Sequence, residues 1–257
     1  MMTWMDAIIL GIIQGLTEFL PISSSGHLVL AQYFMEIHER GVLLEVILHL
    51  GTLAAILIYY WSDLQNLIKD AFHGISEAKT YIFYLGVATV PAVCAGLLLD
   101  EFIESTFIPS VVIAMFFITG TVVAATYFSI NHPIRQLNLV IVFYIGIAQA
   151  CALMPGISRS GITISIALLM GIRHQEAAKF AFFMAIPALL GAGMLQLIKI
   201  DNIVQIVVFP LIIGFFTAAV IGYLVIDWLL YVISKGKFYL FSLYCFTSSI
   251  IAYILIN

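Results

Sequence analysis

Residues 14–27 read QGLTEFLPISSSGH and residues 154–163 read MPGISRSGIT, and each run interrupts a long apolar segment. In each run a proline stops a helix, and the serines that follow are suited to begin the next helix. Inside a membrane, a helix break is tolerated where protein buries it or where it lines a polar cavity. The two runs therefore predict two broken helices around a buried polar site.

The composition indicates a membrane protein. Hydrophobic residues make up 63% of the 257 residues, charged residues only 9%, and the mean hydropathy is +1.13. Soluble domains are roughly half apolar and a quarter charged. The formal charge of −4 offers no broad basic surface, so we expect no nucleic-acid partner.

Apolar length divides the chain into crossings and interrupted segments. A helix needs roughly 20 apolar residues to cross a bilayer, and the leg after the first break reaches only about half of that distance. Residues 1–35 and 139–171 therefore each predict a re-entrant helical hairpin. The predicted fold is an all-α integral membrane protein with six transmembrane helices and two re-entrant hairpins. The six crossings are expected at about 43–61, 81–99, 109–129, 180–198, 204–233 and 238–256.

The two interrupted segments also resemble each other. When the chain is displaced by 135 residues, residues 11–26 match residues 146–161 at 7 of 16 positions, and the identities cluster at the breaks. We therefore predict a single membrane domain over residues 1–257, built from pseudo-repeats of about 1–130 and 136–257. Each repeat holds one hairpin and three crossings, so the second copy lies upside down relative to the first. The two breaks should then face each other.

The basic residues predict an orientation in the membrane. Cytoplasmic loops of membrane proteins carry an excess of Lys and Arg. If the loop of residues 62–80 is cytoplasmic, only Arg40 and Lys199 lie outside, together with both termini and the acidic loop of residues 100–105. The group inside is then Lys69, Lys79, Arg135, Arg173, Lys179, Lys235 and Lys237.

The first break carries ionisable and nucleophilic side chains. Gln14 and Glu18 are four residues apart and share one helical face, whereas Ser24 and His27 are three apart and can meet on the next helix. Ionisable residues at membrane depth are costly and by default indicate a functional site. Glu18 is the candidate ligand for a divalent cation, Mg²⁺ or Ca²⁺, because hard cations prefer oxygen ligands.

The second break predicts an anion site. A proline and a glycine end one helix, Ser158 or Ser160 can begin another, and the N–H groups of the new helix point at an anion placed there. Arg159 adds a planar fork of donors that fits phosphate oxygens, and Thr163 lies four residues on, on the same face. Opposed helix N-termini with one arginine suit a multiply charged phosphate.

Together, the two runs closely resemble the signature of the undecaprenyl-diphosphate phosphatase family, also called the bacitracin-resistance family, and length and hydropathy agree over the whole chain. The resemblance implies an enzyme of the bacterial plasma membrane that removes the terminal phosphate of a C55 polyprenyl diphosphate and recycles the carrier lipid of cell-wall synthesis. Its active site would open to the extracytoplasmic side. By this resemblance Glu18 is the acid of the first motif, Ser24 its proposed nucleophile and His27 its histidine. Arg159 is the phosphate-binding arginine, and Gln14 stands where many members have a second Glu.

The predicted site therefore has a catalytic and a substrate-binding group. We assign catalysis to Glu18, Ser24, His27 and Arg159, and the nucleophile stays open between serine, histidine and water. Glu45 and His49 either support this site or face its entrance. The predicted substrate-binding residues, whose serines can also be simple helix caps, are Gln14, Ser23, Ser25, Gly26, Ser158, Ser160 and Thr163.

A transporter is the alternative function. Inverted repeats with broken helices are first of all a transporter architecture, so a polyprenyl-phosphate flippase stays open. A flippase needs no nucleophile, and Ser24→Ala should leave it working. The type 2 phosphatidic-acid phosphatases are excluded, because their pattern requires a His where this chain has Ser165. The expected partners are a lipid diphosphate and membrane lipid, and a homodimer stays open.

Overall fold

A computed structural model describes residues 3–37, 42–129, 133–198 and 208–256, and over these residues the chain is helical and contains no strand. The all-α class is confirmed for the described residues, whereas Arg40 and Lys199 lie outside them. The helices are α1 (Trp4–Thr17), α2 (Ser24–Phe34), α3 (Val42–Tyr59), α4 (Trp61–Phe72), α5 (Ser76–Leu98), α6 (Asp100–Ser105), α7 (Pro109–Ala125), α8 (Leu139–Cys151), α9 (Arg159–Leu169), α10 (His174–Ile198), α11 (Val208–Ser234) and α12 (Phe241–Ile256), with 3₁₀ turns at Thr126–Ser129 and Phe238–Leu240.

Within the described residues, five helices are long and apolar enough to cross a membrane, namely α5, α7, α10, α11 and α12. A sixth candidate is α3 taken together with α4, which follows it after a bend of 71°. α5 begins at Ser76 rather than at the predicted 81, and α10 begins at His174 rather than at 180. Both helices start with a polar turn, which hydropathy alone does not count as part of a crossing.

The loop predicted at residues 62–80 is largely helical. α4 directs Leu64 and Leu67 towards the core, and its Asp63 forms an ion pair with Lys179 of α10. Because apolar and charged residues alternate on a helical period, α4 has one apolar and one polar face, which suits a helix that lies along a membrane surface. Such a helix is not detected when the sequence is searched only for long apolar segments.

The helices around the two breaks are too short to cross a bilayer. α1 and α2 contain 14 and 11 residues, and α8 and α9 contain 13 and 11. An 11-residue helix is about 16 Å long, roughly half of the ~30 Å hydrocarbon core. α2 begins at Ser24 and α9 at Arg159, which is the displacement of 135 residues seen in the sequence.

Small residues let the first helix of each broken pair approach a long helix closely. A Cβ added at Gly15 would lie 2.7 Å from the Cβ of Ile221 in α11, and one at Gly146 would lie 2.7 Å from the carbonyl oxygen of Ala88 in α5. α1 therefore packs on α11 and α8 packs on α5. Glycine is needed where backbones come this close.

The molecule has two distinct ends. Arg135 and Arg173 line a pocket together with Glu77 and Tyr81 from the beginning of α5, which follows α4 along the chain. We call this the α4 end. The charge count placed Arg135 and Arg173 on the same side of the membrane, and in the structure both lie at the α4 end.

An aromatic core and an apolar outer surface complete the fold. Phe19, Phe182 and Phe183 are almost fully buried at its centre. Many large apolar side chains, such as Leu98 and Phe216, are instead exposed on the outside. An exposed apolar surface this extensive is unusual for a soluble protein and is expected where helices face lipid.

Candidate active site

The two helix breaks pack directly against each other, as the sequence predicts. A Cβ added at Gly26 would lie 2.9 Å from the Cα of Gly156, and one at Gly161 would lie 3.2 Å from the Cβ of Pro21. Gly156 also has a φ of +94°, a backbone conformation that favours glycine. Glycines at these positions therefore allow the two broken helices to meet.

Hydrogen bonds then join the breaks. Ser160 Oγ and Ser158 Oγ donate to the carbonyl oxygen of Leu20 at 2.9 and 3.3 Å. Thr119 Oγ1 in α7 donates to the carbonyl oxygen of Gly156 at 2.9 Å and accepts from the N–H of Ser158 at 3.1 Å. Each break interrupts the helical hydrogen-bond ladder, so Thr119 satisfies backbone groups that the ladder no longer pairs in an apolar environment. The two serines add bonds to a carbonyl oxygen that also accepts from the N–H of Ile22 at 2.8 Å.

Glu18 lies at the centre of the junction and is only 6% exposed. Its Oε1 accepts a hydrogen bond from the guanidinium of Arg159, which forms a buried ion pair between the two breaks. Its Oε2 accepts from the hydroxyl of Ser24 and from Gln14 Nε2 at 3.0 Å. His49 Nε2 lies 3.7 Å from the same oxygen. One carboxylate thus connects a serine, an arginine and a histidine.

The start of α2 holds Ser24 in this position. Ser23 is the N-cap residue, and its Oγ accepts from the N–H of Gly26 at 3.3 Å. Its φ is +69°, which is unfavourable for a residue with a side chain. Strained backbone of this kind tends to occur at functional sites, where the surrounding structure imposes it.

A cavity of about 550 Å³ lies directly against this group of residues. Glu18, Ser24, Ser25 and Arg159 form the polar wall at the breaks, and side chains of α2, α5 and α8 also line the cavity. The rest of the lining includes the beginning of α3, the end of α10 and the connection between α6 and α7. Those segments lie away from the α4 end, so the cavity faces the opposite end of the molecule.

Comparison with known proteins shows the family of this chain. The family model described as bacitracin resistance protein BacA matches residues 7–251. The chain belongs to the BacA family. It is 40% identical to the undecaprenyl-diphosphatase of Caldicellulosiruptor bescii, with 95% of this chain and 94% of that protein aligned. It is also 39% identical to the undecaprenyl-diphosphatase of Geotalea daltonii (98% of each chain) and 37% identical to that of Methanobrevibacter smithii (96% of each chain).

Three of the four predicted catalytic residues of this BacA-family chain meet in the cavity. Ser24 and Arg159 each bond to Glu18, and all three residues line its wall. The expected contact between Ser24 and His27 is wrong. His27 Nδ1 donates to the carbonyl oxygen of Ser23 at 2.7 Å, and Nε2 lies 2.8 Å from the hydroxyl of Tyr244. The ring of His27 therefore points away from Ser24, towards Phe116 of α7 and Tyr244 of α12.

The predicted substrate-binding residues separate into two sets. Ser25 lines the cavity, with its Oγ 3.3 Å from Ser23 Oγ. Gln14 is fully buried behind Glu18, and Thr163 Oγ1 donates to the carbonyl oxygen of Arg159 at 2.7 Å. Ser158 and Ser160 of the second break bond to the first break, and Gly26 of the first break packs on the second. Contact of these inner residues with a phosphate stays a prediction. The two serines and the glycine hold the two breaks together, whereas Gln14 bonds to Glu18 and Thr52 and Thr163 bonds within its own helix.

His49 is the histidine that reaches Glu18, and the sequence favoured His27 instead. Its Nδ1 donates to the carbonyl oxygen of Glu45 at 2.7 Å, so Nε2 is the nitrogen that faces Glu18. Gln32 Nε2 donates to Glu45 Oε1 at 2.7 Å, and all three of these residues line the cavity. The spacing of Glu45 and His49 indicated a pair on one face of α3, but only the packing of α3 against α1 brings that face to the site.

The residues present do not fit a divalent cation held by the protein alone. The described part of the chain contains no group of three His, Cys, Asp or Glu side chains arranged to bind a metal ion. Both oxygens of Glu18 already accept hydrogen bonds from Arg159, Ser24 or Gln14. Hard cations require about six oxygen ligands. Binding through Glu18 would therefore need most of its ligands from elsewhere.

Proposed function

We propose that this chain hydrolyses undecaprenyl diphosphate to undecaprenyl phosphate and inorganic phosphate, which returns the carrier lipid to cell-wall synthesis. Its BacA-family relatives are named undecaprenyl-diphosphatases, with alignments that cover nearly the whole chain. The observation that carries the proposal is the meeting of Glu18, Ser24 and Arg159, from two distant breaks, on one cavity.

The cavity suits a substrate with a charged head and an apolar tail. Arg159 has five N–H groups, of which one bonds to Glu18, so others are available to phosphate oxygens. Beyond the polar wall, apolar side chains such as Val46, Ile108 and Leu189 line the cavity. A diphosphate can bind at the junction of the breaks while its polyprenyl chain lies along this apolar lining.

Ser24 is the group best placed to attack the terminal phosphorus. As its Oγ bonds to phosphorus, Glu18 takes the hydroxyl proton, and the bond from phosphorus to the bridging oxygen breaks with its electron pair on the leaving lipid phosphate. Arg159 neutralises charge on the transferring group, and its shift from Glu18 to phosphate leaves the carboxylate free to act as a base. Water then hydrolyses the phosphoserine. In direct hydrolysis, Glu18 activates the water instead.

The proposed topology has six crossings, with α3 as the sixth, and two re-entrant hairpins, α1–α2 and α8–α9. α3 begins beside the cavity and α10 ends beside it, so the two related helices run in opposite directions, as an inverted repeat requires. With the α4 end in the cytoplasm of a bacterial cell, the cavity opens to the extracytoplasmic side. The homodimer that the sequence allows stays a prediction.

Phosphate release from a long-chain isoprenyl diphosphate by the purified chain in detergent tests the function. We expect activity from the wild type and a loss of roughly 100-fold or more in Ser24→Ala. Ser242→Ala is a matched control, because its hydroxyl donates to the carbonyl oxygen of Tyr239 and the residue does not line the cavity. An inactive wild type that still moves polyprenyl phosphate across vesicles would favour the flippase.

A further inference from the structure

Gln149 is a buried side chain that lines the cavity and bonds to none of the described residues. It lies on α8, two residues before that helix ends at the second break, and is 2% exposed. Within the part of the chain that the structure describes, neither its Nε2 nor its Oε1 has a hydrogen-bond partner, although both atoms are buried. The residue lines the same cavity wall as Glu18, Ser24 and Arg159. An amide with two buried, unpaired atoms lowers the stability of the fold.

The corresponding residue of the first pseudo-repeat shows what such an amide can do. Gln14 lies 135 residues earlier, and its Nε2 donates to Glu18 at 3.0 Å and to Thr52 Oγ1 at 3.3 Å. Gln149 has no acid at the equivalent place, because position 153, four residues on, is Leu153. Its amide is therefore directed at the cavity without a protein acceptor.

We propose that Gln149 binds the phosphate part of the substrate, with Nε2 donating to a phosphate oxygen in the cavity. This inference rests on the proposed function. Phosphate oxygens accept hydrogen bonds from amides, whereas Oε1 is free to accept from a water that enters with the ligand. The cost of the unpaired amide in the empty site is then recovered when the substrate binds.

Two variants of near-equal size separate binding from packing. Gln149→Met removes both polar atoms, and we expect KM for farnesyl diphosphate to rise about tenfold, the effect of one hydrogen bond to a charged group. Its unfolding temperature without ligand should equal or exceed that of the wild type, because an unpaired buried amide is gone. Gln149→Glu replaces the donor by a carboxylate and should lose more activity. A residue that only supports the fold would lower stability and activity together.

Ser165→Ala is the matched control. Ser165 is fully buried, its Oγ has no hydrogen-bond partner among the described residues, and it does not line the cavity. We expect unchanged KM and kcat, with an equal or higher unfolding temperature. A rise in KM for Ser165→Ala as large as that for Gln149→Met would overturn the inference, because the effect would then not depend on the cavity.

A second readout does not depend on turnover. The unfolding temperature is measured with farnesyl methylenediphosphonate, which is not hydrolysed, and with inorganic phosphate. If the shift of Gln149→Met is smaller than that of the wild type for the diphosphonate alone, the amide binds the diphosphate. If it is smaller for both ligands, the amide binds the terminal phosphate. If Gln149→Met shows the same ligand-induced shifts and the same KM as the wild type, the inference is overturned and the proposed function stays intact. A wild type that neither releases phosphate nor responds to the diphosphonate would overturn the proposed function and this inference together.

Discussion

The ring of His27 is held on three sides. Besides its bonds to the Ser23 carbonyl and the Tyr244 hydroxyl, it lies 5.0 Å from the ring of Phe116. We therefore expect His27 to position the beginning of α2 and hence Ser24. We expect Tyr244→Phe to lower kcat/KM by about fivefold, as the loss of one hydrogen bond would, and His27→Gln to lower it without changing the shape of the pH–rate profile. If His27→Gln removes one limb of that profile while Tyr244→Phe has no effect, His27 is itself the acid or base.

Gln14 and Glu18 provide a test of the predicted cation. Gln14 Nε2 now lies 3.0 Å from Glu18, so Gln14→Glu would place a second carboxylate beside that of Glu18. A divalent cation would relieve the repulsion between the two carboxylates. We therefore expect Gln14→Glu to keep activity and to become more dependent on Mg²⁺ or Ca²⁺, while Glu18→Gln abolishes activity. Phosphate release is measured against cation concentration, with Gln175→Glu as a control for added charge on an exposed residue of α10. Activity of the wild type after complete chelation would contradict a catalytic role for a divalent cation.

At the scale of elements, contact between the two breaks should be sensitive to a single methyl group. A Cβ at Gly26 would lie 2.6 Å from the Phe116 ring and 2.9 Å from the Cα of Gly156, and the backbone cannot move aside as a ring can. We expect Gly26→Ala to cost about 1–3 kcal/mol of stability and most of the activity. Gly86→Ala in α5 is the control, because no atom lies within 4 Å of its added Cβ, so it should be neutral or stabilising. Thermal unfolding and phosphate release measure both effects, and equal behaviour of the two variants would mean that the breaks are not tightly packed.

At the scale of the whole molecule, the orientation can be tested with two exposed positions at opposite ends. Ile75 precedes α5 at the α4 end, and Ser105 ends α6 directly after Glu104, which lines the cavity. In a background without Cys94, Cys151 and Cys245, an impermeant thiol reagent on intact cells should label Ser105→Cys and not Ile75→Cys. Permeabilised cells should label both, which serves as the control. Labelling of Ile75→Cys alone on intact cells would reverse the topology.

Local properties of the chain are sufficient to predict much of this molecule. Hydropathy identifies the membrane class because the length of an apolar run is set by bilayer thickness. The identities at the two breaks predict that they face each other, because an odd number of crossings inverts the second copy. Glu18 and Arg159 were identifiable because charged residues at membrane depth are rare and tend to be functional.

Only the tertiary structure decides which side chains touch. Glu18 and Arg159 are 141 residues apart, and His49 reaches Glu18 from a third helix. The direction of His27 depends on where α2 begins, which follows from the strained backbone at Ser23, and no pattern of residue types specifies that dihedral angle. The amide of Gln149 is recognisable as unpaired only after every neighbour is in place. Sequence periodicity therefore determines helices and breaks, whereas contacts across breaks depend on packing between helices distant in the chain.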